Sequence, residues 1–140
     1  MKVKEIMTRE VEVVHTENPV KDAAQKMRVR DIGFLPVFDG DELVGALTDR
    51  DIILRSTADG LDPNRRIGRD LVTSPIVYCF EDQDVEEAAR LMEEHQIRRL
   101  VVMGLDGKRL VGVVSLGDVA RNGTNKTSAK VLQSVSEPTV

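Results

Sequence analysis

The sequence predicts a mixed α/β (α+β) fold built from two β-α-β-β-α units that bury their sheets against each other. Three observations carry that prediction. Gly45-Ala46-Leu47-Thr48-Asp49-Arg50-Asp51 returns 67 residues later as Gly112-Val113-Val114-Ser115-Leu116-Gly117-Asp118. Val20, Ala23, Ala24 and Met27 return as Val85, Ala88, Ala89 and Met92 at a spacing of 65, and Thr8 returns as Thr73. The mismatch between the two spacings falls near Asp39-Gly40 and Asp106-Gly107, so the change in length sits in a turn. Self-similarity sustained over roughly fifty residues is the mark of a duplicated unit, and a unit of that size exposes too much sheet to be stable alone.

Each element has a local reason. Val11 to His15 is a short β-branched run. Asn18-Pro19 then supplies an N-cap and a proline at the first helical position. Val20, Ala23, Ala24 and Met27 form one apolar stripe at helical spacing, with Lys21, Asp22, Gln25, Lys26 and Arg28 on the other side. Strands over Phe34 to Phe38 and Leu43 to Leu47 flank Asp39-Gly40, a pair that tolerates the positive φ of a tight hairpin. Thr48 opens a second helix reaching about Arg55. The second unit repeats the order: strand Ile76 to Cys79, helix Val85 to Gln96, strands Leu100 to Met103 and Leu110 to Val114, and a helix from Ser115. The expected organisation is therefore unit 1 over residues 1–58, a linker over 59–70 carrying Gly60, Pro63 and Gly68, unit 2 over 71–122, and a tail over 123–140 with a short helix from Lys130 to Val135.

Composition narrows the function. Of the 140 residues 41% are hydrophobic and 31% charged, which is globular, and the formal charge of −4 lacks the basic excess of a nucleic-acid binder. Aromatic residues are only 3%, too few to stack a row of bases. No apolar run approaches the roughly 20 residues of a membrane span, and the N-terminus lacks a signal-peptide core, so the expected location is cytoplasmic, without membrane or nucleic-acid partners. Cys79 is the sole cysteine and lies in an apolar run, which fits an inert buried thiol. His15 and His95 have no metal-ligand context, and no Walker A or G-x-S-x-G sequence occurs, so neither metal nor catalytic residues are assigned.

The chemistry concentrates in Thr48-x-x-Asp51 and Ser115-x-x-Asp118, where strand passes into helix. A hydroxyl followed three residues later by an acid is a capping box, which accounts for each motif without a ligand. Two features point further. Both motifs follow a strand glycine, Gly45 and Gly112, and glycine inside a strand marks the close approach of another group. An aspartate beside a hydroxyl can also accept both vicinal hydroxyls of a ribose.

These motifs, together with Asp31-Ile32-Gly33-Phe34-Leu35-Pro36-Val37 and Met92 through Val102, resemble a tandem cystathionine-β-synthase (CBS) domain pair, the Bateman module, over about residues 3 to 121. The layout, with Gly60-Leu61-Asp62-Pro63-Asn64 in the linker, is similar to the stand-alone hypoxic-response CBS-pair proteins. The resemblance implies two CBS units around a pseudo-twofold axis, with clefts that take AMP, ADP, ATP or another adenosyl ligand and no required cofactor. It implies a non-catalytic regulatory module that forms a homodimer and signals to a protein partner in trans. The alternative is an interaction or stress-associated scaffold on the same fold that binds no nucleotide. Carried onto this chain, Asp51 and Asp118 would hold ribose with Thr48 and Ser115 beside them, and the strand-start residues near Thr73 to Val77, Ile76 among them, and Thr8 to Val14 in the other unit would meet the base through backbone and aliphatic groups. Arg98 and Arg99 stand where the family places phosphate-binding residues, against Gly33-Phe34 in the first repeat, and Arg50 is a further candidate cation.

Overall fold

In the computed structural model, residues 1–122 are described. The expected short helix over Lys130 to Val135 lies outside them. The first repeat contains β1 (Val14–His15), α1 (Val20–Arg30), β2 (Phe34–Asp39), β3 (Glu42–Thr48) and α2 (Asp49–Ile52). The second contains β4 (Tyr78–Phe80), α3 (Val85–His95), β5 (Arg99–Met103), β6 (Leu110–Ser115) and α4 (Leu116–Asn122). Each repeat makes one three-stranded sheet, with the first strand parallel to the second and the second antiparallel to the third. The two sheets share even an irregularity: register shifts after Val37 in one and after Val102 in the other, positions 65 apart.

Local chemistry accounts for most boundaries, with four departures. Asn18 does not cap α1. Its Oδ1 accepts from the His15 N–H at 2.8 Å, as Gln83 Oε1 accepts from Phe80 N–H at 2.8 Å in the second repeat, so both amides close the strand-to-helix turn. Pro19 is the N-cap residue instead, extended at ψ 149° with no side-chain cap. Ala24 is exposed, whereas Val20, Ala23, Met27 and all four positions of the α3 stripe are buried. Ala89 belongs to an apolar cluster with Val3 and Met7; Ala24 belongs to no such cluster. The helix begun by α2 widens into a π turn over Ile53–Thr57, beyond Arg55. The strand expected at Ile76 starts at Tyr78. Both hairpins turn on a glycine at positive φ, Gly40 at 60° and Gly107 at 70°. The first turn is tight, with Asp39 opposite Glu42; the second is wider, closing on Met103 opposite Leu110.

Packing divides the chain differently from the sequence repeat. One compact unit is Glu12–Ile76, and the other is Met1–Val11 with the described residues from Val77 onward. In the second-repeat unit the N-terminal segment is part of the core. Val3 N–H donates to Gln83 O at 2.8 Å, Lys4 N–H to Glu81 O at 2.9 Å, and Val85 N–H to Met1 O at 2.9 Å, while Val3 and Met7 join the cluster of Ala88, Met92, Leu100 and Val114. In the first-repeat unit the stretch after α2 has the same role. Val20 N–H donates to Arg65 O and Lys21 N–H to Pro63 O, both at 2.9 Å, and Ile67, Leu71 and Val72 join Val20, Leu35 and Leu47. The segment from 59 to 70, polar in sequence, thus contains a fully buried Ile67. Burying a side chain of this kind is worth about 1.5–3 kcal/mol relative to exposure, enough to hold a polar stretch in place.

Candidate functional site

Both hydroxyl–aspartate motifs form complete capping boxes. Asp51 N–H donates to Thr48 Oγ1 at 3.0 Å, and Thr48 N–H donates to Asp51 Oδ2 at 2.9 Å. The second repeat matches: Asp118 N–H to Ser115 Oγ at 3.1 Å, Ser115 N–H to Asp118 Oδ2 at 2.9 Å. Aspartate thus fills the place where glutamate is usual, and all four bonds are made at 2.9–3.1 Å. Both aspartates are buried, at 8% and 9% exposure, which is unusual for a carboxylate and requires partners for both oxygens.

The glycine signal has a structural cause. The group that approaches Gly45 is the chain itself: Ala46 and Thr73 exchange backbone hydrogen bonds of 3.0 and 2.8 Å, and a Cβ on Gly45 would collide with the Thr73 carbonyl oxygen and lie 2.5 Å from Val72 Cγ1. Gly112 repeats the arrangement with Thr8, which exchanges bonds of 2.9 and 3.0 Å with Val113; a Cβ there would lie 2.9 Å from Thr8 O. Each sheet is thereby edged by a short segment led by a threonine.

That edge segment completes the first site. Thr73 Oγ1 donates to the Asp51 carboxylate, 3.2 Å from both oxygens, and Arg55 Nε lies 4.0 Å from Oδ1. Thr48, Asp51 and Thr73 thus come together. Ile76 is half-buried, offering an aliphatic surface, and Arg50 is exposed with no ion pair among the described residues. In the second-repeat unit the free oxygen of Asp118 is taken by a cation: Arg121 Nη2 lies 2.6 Å from Oδ1. Arg99 stands directly across the strand pair from Ser115, and the Arg98 carbonyl accepts from Leu116 N–H at 2.7 Å. Both arginine side chains are exposed. Arg55 and Arg121 were not among the residues expected from the motifs. Their signal was present, since i+4 and i+3 from an aspartate at a helix start is one helical turn.

Elsewhere, burial pushes the Cys79 thiol up to about 12, which leaves it a packed, unreactive group. Among the described residues no group of three or more His, Cys, Asp or Glu side chains is placed to hold a metal ion. No described helix is long and apolar enough to cross a membrane.

Two sheets of the same order, each ending in a glycine, a hydroxyl cap and a buried aspartate, define a duplicated domain of the CBS type. The CBS domain profile matches residues 3–57 and again 67–124, and the chain belongs to that family. It is 38% identical over 136 residues to Hypoxic response protein 1 of Mycobacterium tuberculosis, covering 96% of this chain and 94% of that one. Among solved structures, Hypoxic Response Protein I with two coordinated zinc ions superposes with a TM-score of 0.77 at 40% identity, over 89% of this chain and all (100%) of that one. The CBS domain pair of protein MJ0100, in complex with 5′-methylthioadenosine and S-adenosyl-L-methionine, superposes with a TM-score of 0.74 at 27% identity, over 86% and 94% of the chains. CBSX2 in complex with AMP superposes with a TM-score of 0.70 at 30% identity, over 86% and 93%.

Proposed function

We propose that this protein is a non-catalytic regulatory module that binds an adenosine-containing ligand through the two buried aspartates, as a homodimer in the cytoplasm, and passes occupancy to a protein partner in trans. One observation carries the reading. Each capping box engages Oδ2 from the backbone, while Oδ1 meets side chains only, Thr73 and Arg55 in one unit and Arg121 in the other. A ribose with two vicinal hydroxyls is a suitable replacement, because a carboxylate accepts several hydrogen bonds and those to a charged acceptor are the strong ones. Adenosyl ligands in MJ0100 and CBSX2 support the same class of ligand here. Base recognition would fall to the Thr73 through Ile76 segment in one unit and to its Thr8 counterpart in the other. Phosphate recognition would fall to Arg98 and Arg99, with Arg50 available beside Asp51.

The competing reading is a scaffold in which both aspartates serve only as caps. The satisfied capping boxes favour it as much as they favour ligand binding, so the discriminating experiment must measure binding. Titration with AMP, ADP, ATP, S-adenosylmethionine and NAD, read by calorimetry and melting temperature, does so. Saturable heat with a rise in melting temperature is expected for at least one adenosyl ligand; flat titrations for all five would leave the scaffold.

A further inference from the structure

The two sites differ in what stands beside the strand that enters them. In the first repeat Asp49 N–H donates to the Gly33 carbonyl at 3.1 Å, and a Cβ on Gly33 would lie 2.8 Å from Asp49 Oδ2. In the second repeat the same backbone contact joins Leu116 to Arg98. An acid therefore fills the space over a glycine in one unit, where the other unit has an arginine beside a leucine. Across the strand pair, Phe34 faces Thr48 while Arg99 faces Ser115. The charges follow. Around Thr48–Asp51, the acids Asp49 and Asp51 balance Arg50 and Arg55; around Ser115–Asp118, one acid stands against Arg98, Arg99 and Arg121.

We propose that Asp49 is a specificity-determining residue that excludes phosphate from the Thr48–Asp51 site, so that the two sites divide adenosine-containing ligands by charge. The Ser115–Asp118 site takes a nucleotide phosphate, and the Thr48–Asp51 site takes an adenosyl group that carries none. This rests on the adenosine-ligand reading above. Asp49 Oδ1 accepts from the Arg50 N–H at 2.9 Å, a hydrogen bond that orients the carboxylate without neutralising it, and Asp49 has no ion pair among the described residues. A carboxylate two residues from Asp51 without a counter-ion repels a phosphate brought to that site by a Coulomb interaction that salt weakens.

Calorimetry of the full chain with adenosine, AMP and S-adenosylmethionine tests the division. The wild type is expected to bind AMP at one site per chain and S-adenosylmethionine at the other. Asp49→Asn keeps the hydrogen bond to Arg50 and removes the charge; it should shift the AMP-to-adenosine affinity ratio at the first site roughly fivefold toward AMP, an effect that shrinks with added salt. Gly33→Arg with Asp49→Leu copies the second-repeat arrangement, and φ at Gly33 is not positive, so the backbone accepts a side chain. That variant should acquire a second AMP equivalent. If adenosine binds but Asp49→Asn leaves the ratio unchanged at all salt concentrations, the charge division is overturned while the adenosine reading stands. If no ligand binds the wild type, both fall together.

Discussion

The two repeats share a strand order and a register irregularity, and they differ in the side chains that meet the two aspartates. Asp51 is held by Thr73, a neutral hydroxyl supplied by the edge segment of its own unit. Asp118 is held by Arg121, a cation supplied by its own helix. Both aspartates thus have an arginine one helical turn on, but only Arg121 closes to hydrogen-bond distance, while Arg55 stays at 4.0 Å and Asp51 is met by a tertiary hydroxyl instead.

That comparison can be broken first at the core. Leu35 and Leu100 are equivalent and both fully buried, in separate clusters. Leu35→Ala and Leu100→Ala should each cost about 2–5 kcal/mol by the transfer and cavity terms. Denaturant unfolding checks it: similar losses confirm that both repeats carry the fold equally, and a loss under about 1 kcal/mol at either position would contradict equivalent cores.

The strand glycines should separate the repeats. At Gly45 an added Cβ meets the Thr73 carbonyl, which is fixed by paired backbone hydrogen bonds; at Gly112 the nearest atom is the flexible Met7 Sδ at 2.6 Å, and the Thr8 carbonyl is met less closely, at 2.9 Å. Overpacking costs typically about 1–3 kcal/mol, so Gly45→Ala should lie near the upper end and Gly112→Ala near the lower. Equal melting temperatures in the two variants would remove the distinction.

Cap removal is a smaller effect. Thr48→Ala and Ser115→Ala each lose one side-chain cap, worth about 1 kcal/mol. Both should lower the denaturation midpoint with the slope unchanged, and no change in either would mean the boxes contribute nothing.

The smallest effect concerns the hairpins. The Arg69 guanidinium hydrogen-bonded to Asp39 holds its carboxyl below the usual range, with Thr16 helping. Asp106 is lowered by the backbone N–H groups of Lys108 and Arg109. In both cases the folded value is depressed, so the stabilisation is present above the unfolded value near 3.8 and is lost as pH falls through the folded one. Carboxyl NMR titration should find both aspartates titrating low. Salt should raise Asp39, whose partner is a charged side chain across the fold, more than Asp106, whose donors are local amides; the reverse order would contradict these causes.

Much of this was legible in the sequence, and the physical reason is locality. The hairpins at Asp39-Gly40 and Asp106-Gly107, the α3 stripe and the two capping boxes depend on residues a few positions apart, and each stands where its pattern predicts. What was not legible depends on contacts across the chain. Gly45 and Gly112 correctly signalled close approach, but only the fold identifies the approaching group as the Thr73 and Thr8 backbones. Ala24 has the same spacing as Ala89 but lacks a covering cluster. The partition at Val11 and Ile76 follows from N-terminal and connector segments that pack within the opposite repeat's unit and its own, respectively, which a repeat boundary does not reveal. The arginines Arg55 and Arg121 sit at helical spacing from the aspartates and are the one part of the site that a local reading could have added.

The most direct measurement of the central claim is calorimetric titration of AMP into the wild type and Asp118→Asn, a variant that keeps a side-chain oxygen for the Ser115 N–H but loses the charge. Melting temperatures run alongside establish that the variant is folded. Ribose held by Asp118 predicts saturable binding by the wild type and a loss of roughly 1.5–3 kcal/mol in the variant, the range for hydrogen bonds to a charged group. Saturable binding of equal strength in both proteins would reduce Asp118 to a helix cap and contradict the account.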